Sequence, residues 1–374
     1  MSALYLHIPF CKQACHYCDF HFSTQIAQKE NMVKAICQEI ALQKDYLQNK
    51  TLQSVYFGGG TPSLLSKQDL EKIFEQIQRF FALTPQTEIT LEANPDDLTL
   101  EKLHILRKVG INRLSIGVQS FHQPHLIFLH RSHTALQAEN CVKIAQDVGF
   151  SNITIDLIYA IPAENHHIWE QDLQKALSLN VPHISAYCLT IEPRTVFGKK
   201  LEKRKMQPID ETFAREQMQI LISTLTSAGF EHYEISNFAR KGFYSKHNSN
   251  YWLGGEYLGI GASAHSYNGE SRQYNIADNK SYIAEIFAGK IPATIEQLSP
   301  KEKLNEYLLT SLRTQWGAEK SRIQALHPNF FIENRNLLQR FEKQNLIFWN
   351  DERIYLTHEG KFFADQIAAD LFWV

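Results

Sequence analysis

Six apolar, strand-like runs alternate with stretches of helical periodicity over the first 190 residues, and this alternation constrains the fold more than anything else in the chain. The runs are Ala3–Ile8, Ser54–Phe57, Glu88–Ala93, Arg113–Val118, Asn152–Ile158 and His183–Leu189. Between them apolar residues recur every three or four positions, as in Val33, Ile36 and Ile40, or Leu70, Ile73, Phe74 and Ile77. Gly110 and Gly149 close two of these stretches, as glycine does after a helix. Strand–helix alternation builds right-handed βαβ units and a parallel sheet. The expected fold is therefore α/β, a partial parallel (β/α)6 barrel over residues 1–190. In such barrels chemistry collects at the C-terminal strand ends. Glu92, Gln119 and Asp156 sit at or near those ends, and Arg131 belongs to the same polar set.

Beyond Glu192 the alternation breaks. Residues 191–294 read as an extension, with a basic run from Lys199 to Lys205 expected to be a solvated surface. Residues 295–374 read as a small winged-helix-like α+β domain, two helices followed by a hairpin through Asn350-Asp351. It has no strong basic cluster, and the net charge of the chain is −2, so nucleic acid is not an expected partner. No apolar run reaches the ~18–20 residues of a membrane span, and no secretory signal is read at the N-terminus. A reducing cytoplasm is the expected compartment.

The first run ends at Pro9, and three cysteines follow in Cys11-Lys-Gln-Ala-Cys15-His-Tyr-Cys18. Thiolates are soft ligands, so a tight triplet selects zinc or an iron–sulfur cluster. Structural zinc usually takes four ligands with a second pair further on, and no second cysteine pair follows here. A [4Fe-4S] cluster held by three cysteines keeps one iron open to a non-protein ligand, and that is the favoured reading. Cys37, Cys141 and Cys188 are scattered and read as buried small hydrophobes. Gly58-Gly59-Gly60-Thr61 ends the second run and offers bare backbone to a ligand or to a tight turn. Gly259-Ile-Gly261 is too weak a match for a dinucleotide site, and His122, His125, His130 and His133 lack the spacing of a zinc hydrolase. His247-Asn-Ser-Asn-Tyr-Trp252 places an imidazole beside paired aromatics, a pattern able to grip a haem face or simply to form a turn before a core contact.

The cysteine spacing resembles that of the radical S-adenosylmethionine (SAM) superfamily. Within it, Tyr5-Leu-His-Ile-Pro-Phe-Cys11 and Cys15-His-Tyr-Cys18 resemble the oxygen-independent coproporphyrinogen oxidases and their HemW-type relatives. The resemblance covers essentially the whole chain. It implies a radical SAM barrel whose [4Fe-4S] cluster is held by Cys11, Cys15 and Cys18, with SAM bound at the open iron and cleavable to a 5′-deoxyadenosyl radical. By position it assigns to SAM Tyr5, Tyr17, Gly59, Gly60, Thr61, Glu92, Gln119, Arg131 and Asp156, with the glycine run against the methionine part and Gly60 where a side chain would intrude on the ligand. His130 stands where relatives often have glycine. The oxidases carry a further cysteine two residues after the triplet, where this chain has Phe20, and a longer N-terminal arm. Those departures, together with a segment similar to the H-N-x-N-Y-W signature, point to the HemW-type haem chaperones. The resemblance then implies haem as a third ligand with His247 as its candidate residue, transfer of haem to an acceptor protein that could be membrane-associated, and leaves room for a homodimer. A coproporphyrinogen III dehydrogenase is the alternative, and a zinc-stabilised nucleic-acid-binding protein a more distant one.

Overall fold

The computed structural model describes residues 2–374. Strands β1 (Ser2–Ile8), β2 (Ser54–Gly59), β3 (Glu88–Ala93), β4 (Arg113–Gln119), β5 (Asn152–Tyr159) and β6 (His183–Cys188) lie side by side in chain order, every neighbouring pair parallel. The connections carry α1 (Lys29–Leu42), α2 (Lys67–Phe80), α3 (Leu100–Lys108), α4 (Gln123–Phe128), α5 (Ala135–Asp147) and α6 (His167–Ser178). Local chemistry sets several helix starts. Ser66 and Thr134 cap α2 and α5 with reciprocal capping boxes, which satisfy amide groups the first turn leaves unpaired. One helix is shorter than its periodicity implies: α1 stops at Leu42, although the apolar spacing runs on to Leu47, which is buried from the loop beyond.

The outward side chains of these strands, such as Leu4, Leu6, Val55, Phe57, Leu91, Leu114, Ile116, Ile153 and Ile155, are buried against the helices in one large core. Period-two alternation turns the other set inward. That set is polar: Tyr56, Thr90, Glu92, Arg113, Ser115, Thr154, Asp156, His183, Ser185 and Tyr187. Tyr56, Glu92, Ser115, Asp156 and Ser185, from five successive strands, line a single cavity, so the sheet curves around it as a partial barrel.

After β6 come α7 (Val196–Glu202) and α8 (Glu211–Ser227), then β7 (Glu231–Glu234) and β8 (Asn237–Ala239). β8 adds to β6 antiparallel. Helix α9 (Lys246–Trp252) follows, and β9 (Glu256–Ile260) adds to β1 parallel. β10 (His265–Tyr267), β11 (Ser271–Asn275), α10 (Asn279–Phe287) and β12 (Ala293–Gln297) carry the same sheet to its far edge, twelve strands in all. Residues 191–294 thus extend both edges of the sheet, which the loss of strand–helix alternation concealed.

The C-terminal portion has its own core, with Leu304, Leu308, Ile323, Phe330, Leu338, Phe341, Ile354 and Ile367 at its centre. It comprises α11 (Pro300–Ser311), β13 (Ala318–Glu319), α12 (Lys320–Leu326), α13 (Phe330–Glu333), α14 (Arg335–Lys343), the hairpin β14 (Ile347–Trp349) and β15 (Arg353–Leu356), and α15 (Ala364–Asp370). Arg313 ties it to the barrel through buried Glu234 at 3.1 Å and lies over the ring of Trp252. Among the described residues no helix is long and apolar enough to cross a membrane.

Candidate functional site

Pro9 stops β1, and the chain turns into the cysteine loop. The amide of Cys11 donates to Ser23 O (3.0 Å) and that of Ser23 to Pro9 O (2.7 Å), which clamps the base of the loop. Cys11, Cys15 and Cys18 all line the barrel cavity, whose volume is about 680 Å3. Tyr17, Gly59, Gly60, Thr61, Glu92, Gln119, Arg131 and Asp156 line it too. Eleven residues that the sequence marks out are therefore brought together; two, Tyr5 and His247, are not. Among the described residues no group of three or more His, Cys, Asp or Glu side chains stands close enough to hold a single metal ion.

Two sulfurs have donors in place. Thr61 Oγ1 donates to Cys11 Sγ at 3.4 Å, and Arg131 Nη1 to Cys15 Sγ at 3.3 Å. Burial lifts the Cys11 thiol and pushes Cys18 up to about 11, so a cationic centre is needed to hold these groups as thiolates. Arg131 is nearly sealed in. Its Nη2 donates to Asn94 Oδ1 (2.6 Å) and Gly117 O (2.9 Å), while its Nε has no partner.

Glu92 and Asp156 face the cavity from β3 and β5. Glu92 accepts from Tyr56 OH (2.8 Å) and the Gly59 amide (3.1 Å); Asp156 accepts from Ser115 Oγ (3.1 Å). Burial raises Glu92 to about 7, with the Asp156 charge adding to it, and burial raises Asp156 to about 6. Neither carboxylate has an ion-pair partner within 4.0 Å among the described residues. Two desolvated carboxylates in one cavity favour a cationic ligand.

The glycine run also packs closely against its neighbours. A Cβ on Gly60 would lie 2.8 Å from Ile8 O, Phe10 N and Phe10 O, so glycine there lets β2 pass the backbone that leads into the cysteine loop. Gly59 has φ +106° and would meet the His7 ring. The run packs strand against loop, and Gly59 and Gly60 line the cavity as well.

Tyr5 lies behind the cavity wall. Its hydroxyl donates to His7 Nδ1 (3.2 Å), whose Nε2–H is directed to His21 O (2.8 Å). His247 belongs to α9, where Ser245 caps the helix and Glu88 accepts from the Lys246 and His247 amides. Glu88 and Ser54 start their strands, so α9 plugs the N-terminal mouth of the barrel. The imidazole is buried. Nδ1 pairs with Ser54 Oγ (2.8 Å), Nε2 with Tyr251 OH (2.6 Å), and the ring stacks on Tyr56 at 4.8 Å. Both ring nitrogens are engaged by hydroxyls, so a haem iron bound at His247 would have to displace Ser54 or Tyr251.

Sequence reasoning passed over several cavity residues. Asn94 joins Arg131 to Thr61, and Arg113, wholly buried, reaches Asn152 Oδ1 (2.6 Å) on the cavity floor with His183 beside it. Asn94 stood in plain view after β3, inside Glu92-Ala-Asn-Pro95; Arg113 and His183 are visible only once the inward register is counted from Glu92 and Asp156.

A fold of this kind with a three-thiol cavity at its strand ends defines a radical SAM protein, and the model of the radical SAM superfamily matches residues 5–176. The heme chaperone HemW of Bacillus subtilis (strain 168) is 34% identical over 98% of this chain and 98% of its own length. The heme chaperone HemW of Escherichia coli (strain K12) is 36% identical over 70% of this chain and 69% of its own. The chain belongs to the HemW family of the radical SAM superfamily. Its fold is also that of the coproporphyrinogen III oxidase (HemN) of Escherichia coli, with a TM-score of 0.86 at 23% identity over 99% of this chain and 90% of that one.

Proposed function

We propose that this protein is a haem chaperone that binds haem and passes it to an acceptor protein in the cytoplasm. The observation that carries the reading is end-to-end similarity to proteins of that name, 34% identity over 98% of the chain in one case. We further propose that Cys11, Cys15 and Cys18 hold a [4Fe-4S] cluster and that the cavity takes SAM. The residues suit both groups: three thiols on one wall with donors on two of them, and two carboxylates whose raised pKa values a cationic ligand would relieve. When bound, a cluster with an open iron would supply single electrons to the sulfonium of SAM. This chain's own residues supply the rest. Arg131 holds Cys15 and the Asn94 corner, Thr61 holds Cys11, and Glu92 and Asp156 offer negative charge. Tyr17, between Cys15 and Cys18 in sequence, accepts from Arg131 Nη1 at 3.4 Å and steadies that side of the loop.

At the position where the oxidases carry a further cysteine, Phe20 stands 72% exposed at the cavity mouth. A side chain there offers apolar surface and no sulfur, which supports carriage of a porphyrin over oxidation of its propionates. The test is anaerobic reconstitution followed by two assays on one sample. Hemin should bind and move to an apo-haemoprotein acceptor, and coproporphyrinogen III with SAM and reductant should remain unconverted. Robust decarboxylation without haem transfer would overturn the proposal.

A further inference from the structure

A continuous chain of hydrogen bonds joins two of the cavity thiols through residues that follow β2, β3 and α4. Asn94 is its middle. The Asn94 Oδ1 accepts from Arg131 Nη2 at 2.6 Å, and its Nδ2 donates to Thr61 Oγ1 at 3.5 Å. Arg131 Nη1 donates to Cys15 Sγ at 3.3 Å, and Thr61 Oγ1 donates to Cys11 Sγ at 3.4 Å. Chemistry fixes these directions. A guanidinium only donates, so the amide oxygen must face Arg131 and the amide nitrogen must face Thr61. That nitrogen takes a lone pair of the hydroxyl and leaves its hydrogen for the sulfur. Asn94 makes no hydrogen bond to either sulfur among the described residues, and at both ends it acts through another side chain.

The corner is held from several sides. Pro95 restricts the residue before it to extended backbone, and Asn94 has φ −84° and ψ 144°. The Asn94 amide donates to Ser63 Oγ (3.4 Å), whose own hydrogen goes to Asp97 Oδ2 (2.6 Å), and the Asp97 amide donates back to Asn94 O (3.0 Å). Arg131 reaches the corner because Gly117 has no side chain. A Cβ there would lie 3.1 Å from Arg131 Nη2, the atom that donates to Gly117 O at 2.9 Å. Position 94 therefore needs one acceptor and one donor at the same reach. A carboxylate would give two acceptors, no donor and a negative charge beside the thiols; asparagine gives both roles without charge. Burial raises the Cys11 thiol, while the Thr61 hydrogen bond and the Arg131 charge oppose that rise, so the donors that Asn94 aims favour thiolate.

Resting on the reading that Cys11, Cys15 and Cys18 hold a [4Fe-4S] cluster, we infer that Asn94 is a positioning residue that sets the reduction potential of that cluster. An added electron increases negative charge on the thiolates, and hydrogen bonds to the sulfurs stabilise the reduced state and raise the potential. Asn94 aims two such donors at once, one charged and one neutral, so a single amide governs how readily the cluster accepts its electron.

The test is an anaerobic redox titration of the full-length, cluster-loaded protein with dithionite and mediators, followed by the electron paramagnetic resonance signal of the reduced cluster. SAM is left out, so a change in SAM binding cannot enter the reading. Asn94→Ala should load as much iron and sulfide as wild type and shift the equilibrium at least threefold against the reduced cluster, a fall of about 30 mV at ~59 mV per decade for one electron. Thr61→Val and Arg131→Lys each remove one arm while keeping shape or charge, and each should lower the potential. Adding Asn94→Ala to the Thr61→Val, Arg131→Lys double variant should change the potential no further, whereas a residue that only supports the loop would act whatever the background. Wild-type protein that loads no cluster would sink the cluster reading and this inference with it. Wild-type protein that loads, beside a loaded Asn94→Ala variant with unchanged potential, would sink the inference alone. If Asn94→Ala loads poorly, Thr61→Val and Arg131→Lys decide, and the wild-type potential in both overturns the inference.

Discussion

Replacing His247 by alanine separates a structural plug from a haem ligand, and its size follows from the contacts. The ring makes two hydrogen bonds, to Ser54 Oγ at 2.8 Å and Tyr251 OH at 2.6 Å. Each is worth about 1 kcal/mol net, and each leaves a buried hydroxyl unsatisfied once the imidazole is gone. Truncating a stacked, buried ring also opens a cavity, so the total is about 3–5 kcal/mol. In a protein of ~5–15 kcal/mol stability this is a large fraction, and the melting temperature should fall by roughly 5–10 °C. The loss should also depend on pH. Burial lowers His247 from 6.5 to about 3. Below pH 6.5 the unfolded chain takes up this proton and the folded one does not, so the histidine's contribution is complete above pH 6.5 and shrinks by about 1.4 kcal/mol per unit as pH falls towards 3. The stability gap between wild type and variant, from denaturant melts, should thus narrow by about 2 kcal/mol between pH 8 and pH 5. Hemin affinity per folded molecule should not change. A variant that melts with the wild type but loses its Soret band would refute this reasoning.

Three further outcomes are expected. Gly60→Ala drives its Cβ against the Ile8 and Phe10 backbone, so iron and sulfide content should fall along with SAM binding; a fully loaded cluster with only SAM affinity reduced would return the glycine to a ligand-facing role. Cys15→Ala should lose the cluster by iron and sulfide analysis, whereas Cys37→Ala, remote from the cavity lining, should retain it. SAM affinity, measured by calorimetry, should rise with pH through about 7 as Glu92 ionises and level off above it, and Glu92→Gln should flatten that rise; a flat wild-type profile would remove Glu92 from the site.

The barrel was legible because its outward faces obey simple periodicities and its helices carry their own caps and closing glycines, as at Ser66 and Gly110. The polar residues at the strand ends were legible for the same reason: the register that buries Leu91 and Ile155 turns Glu92 and Asp156 inward. What escaped depends on contacts between distant segments. Gly60 looks alike whether a ligand or the Phe10 backbone crowds it, and only the packing of β2 on the loop decides. The His247 segment carries turn formers and aromatics, which suit an open loop as well as the short capped helix it forms; the partners that hold it in place, Ser54 and Glu88, lie about 160–190 residues away. His16 and His130 each resemble ordinary surface histidines until the fold stacks them.

The two ends of the barrel are coupled through one stack of side chains. The lumen cannot serve as core, since its walls carry Glu92, Arg113, Asp156 and His183 where a filled barrel would have branched apolar residues. It must be closed against bulk water if its carboxylates are to stay desolvated, and α9 closes the N-terminal end. His247 rests on Tyr56 at 4.8 Å, and Tyr56 donates to Glu92 at 2.8 Å. A segment that touches no thiol, and reaches the cavity wall through Tyr56, can therefore influence the charge of Glu92. Loosening α9 admits water beneath Tyr56, stabilises ionised Glu92 and moves its pKa back towards the ordinary carboxylate range, so the pH midpoint for SAM binding falls. On this account the His-Asn-Ser-Asn-Tyr-Trp segment belongs with the SAM cavity by electrostatics, although it lies at the opposite end of the barrel from the cysteines.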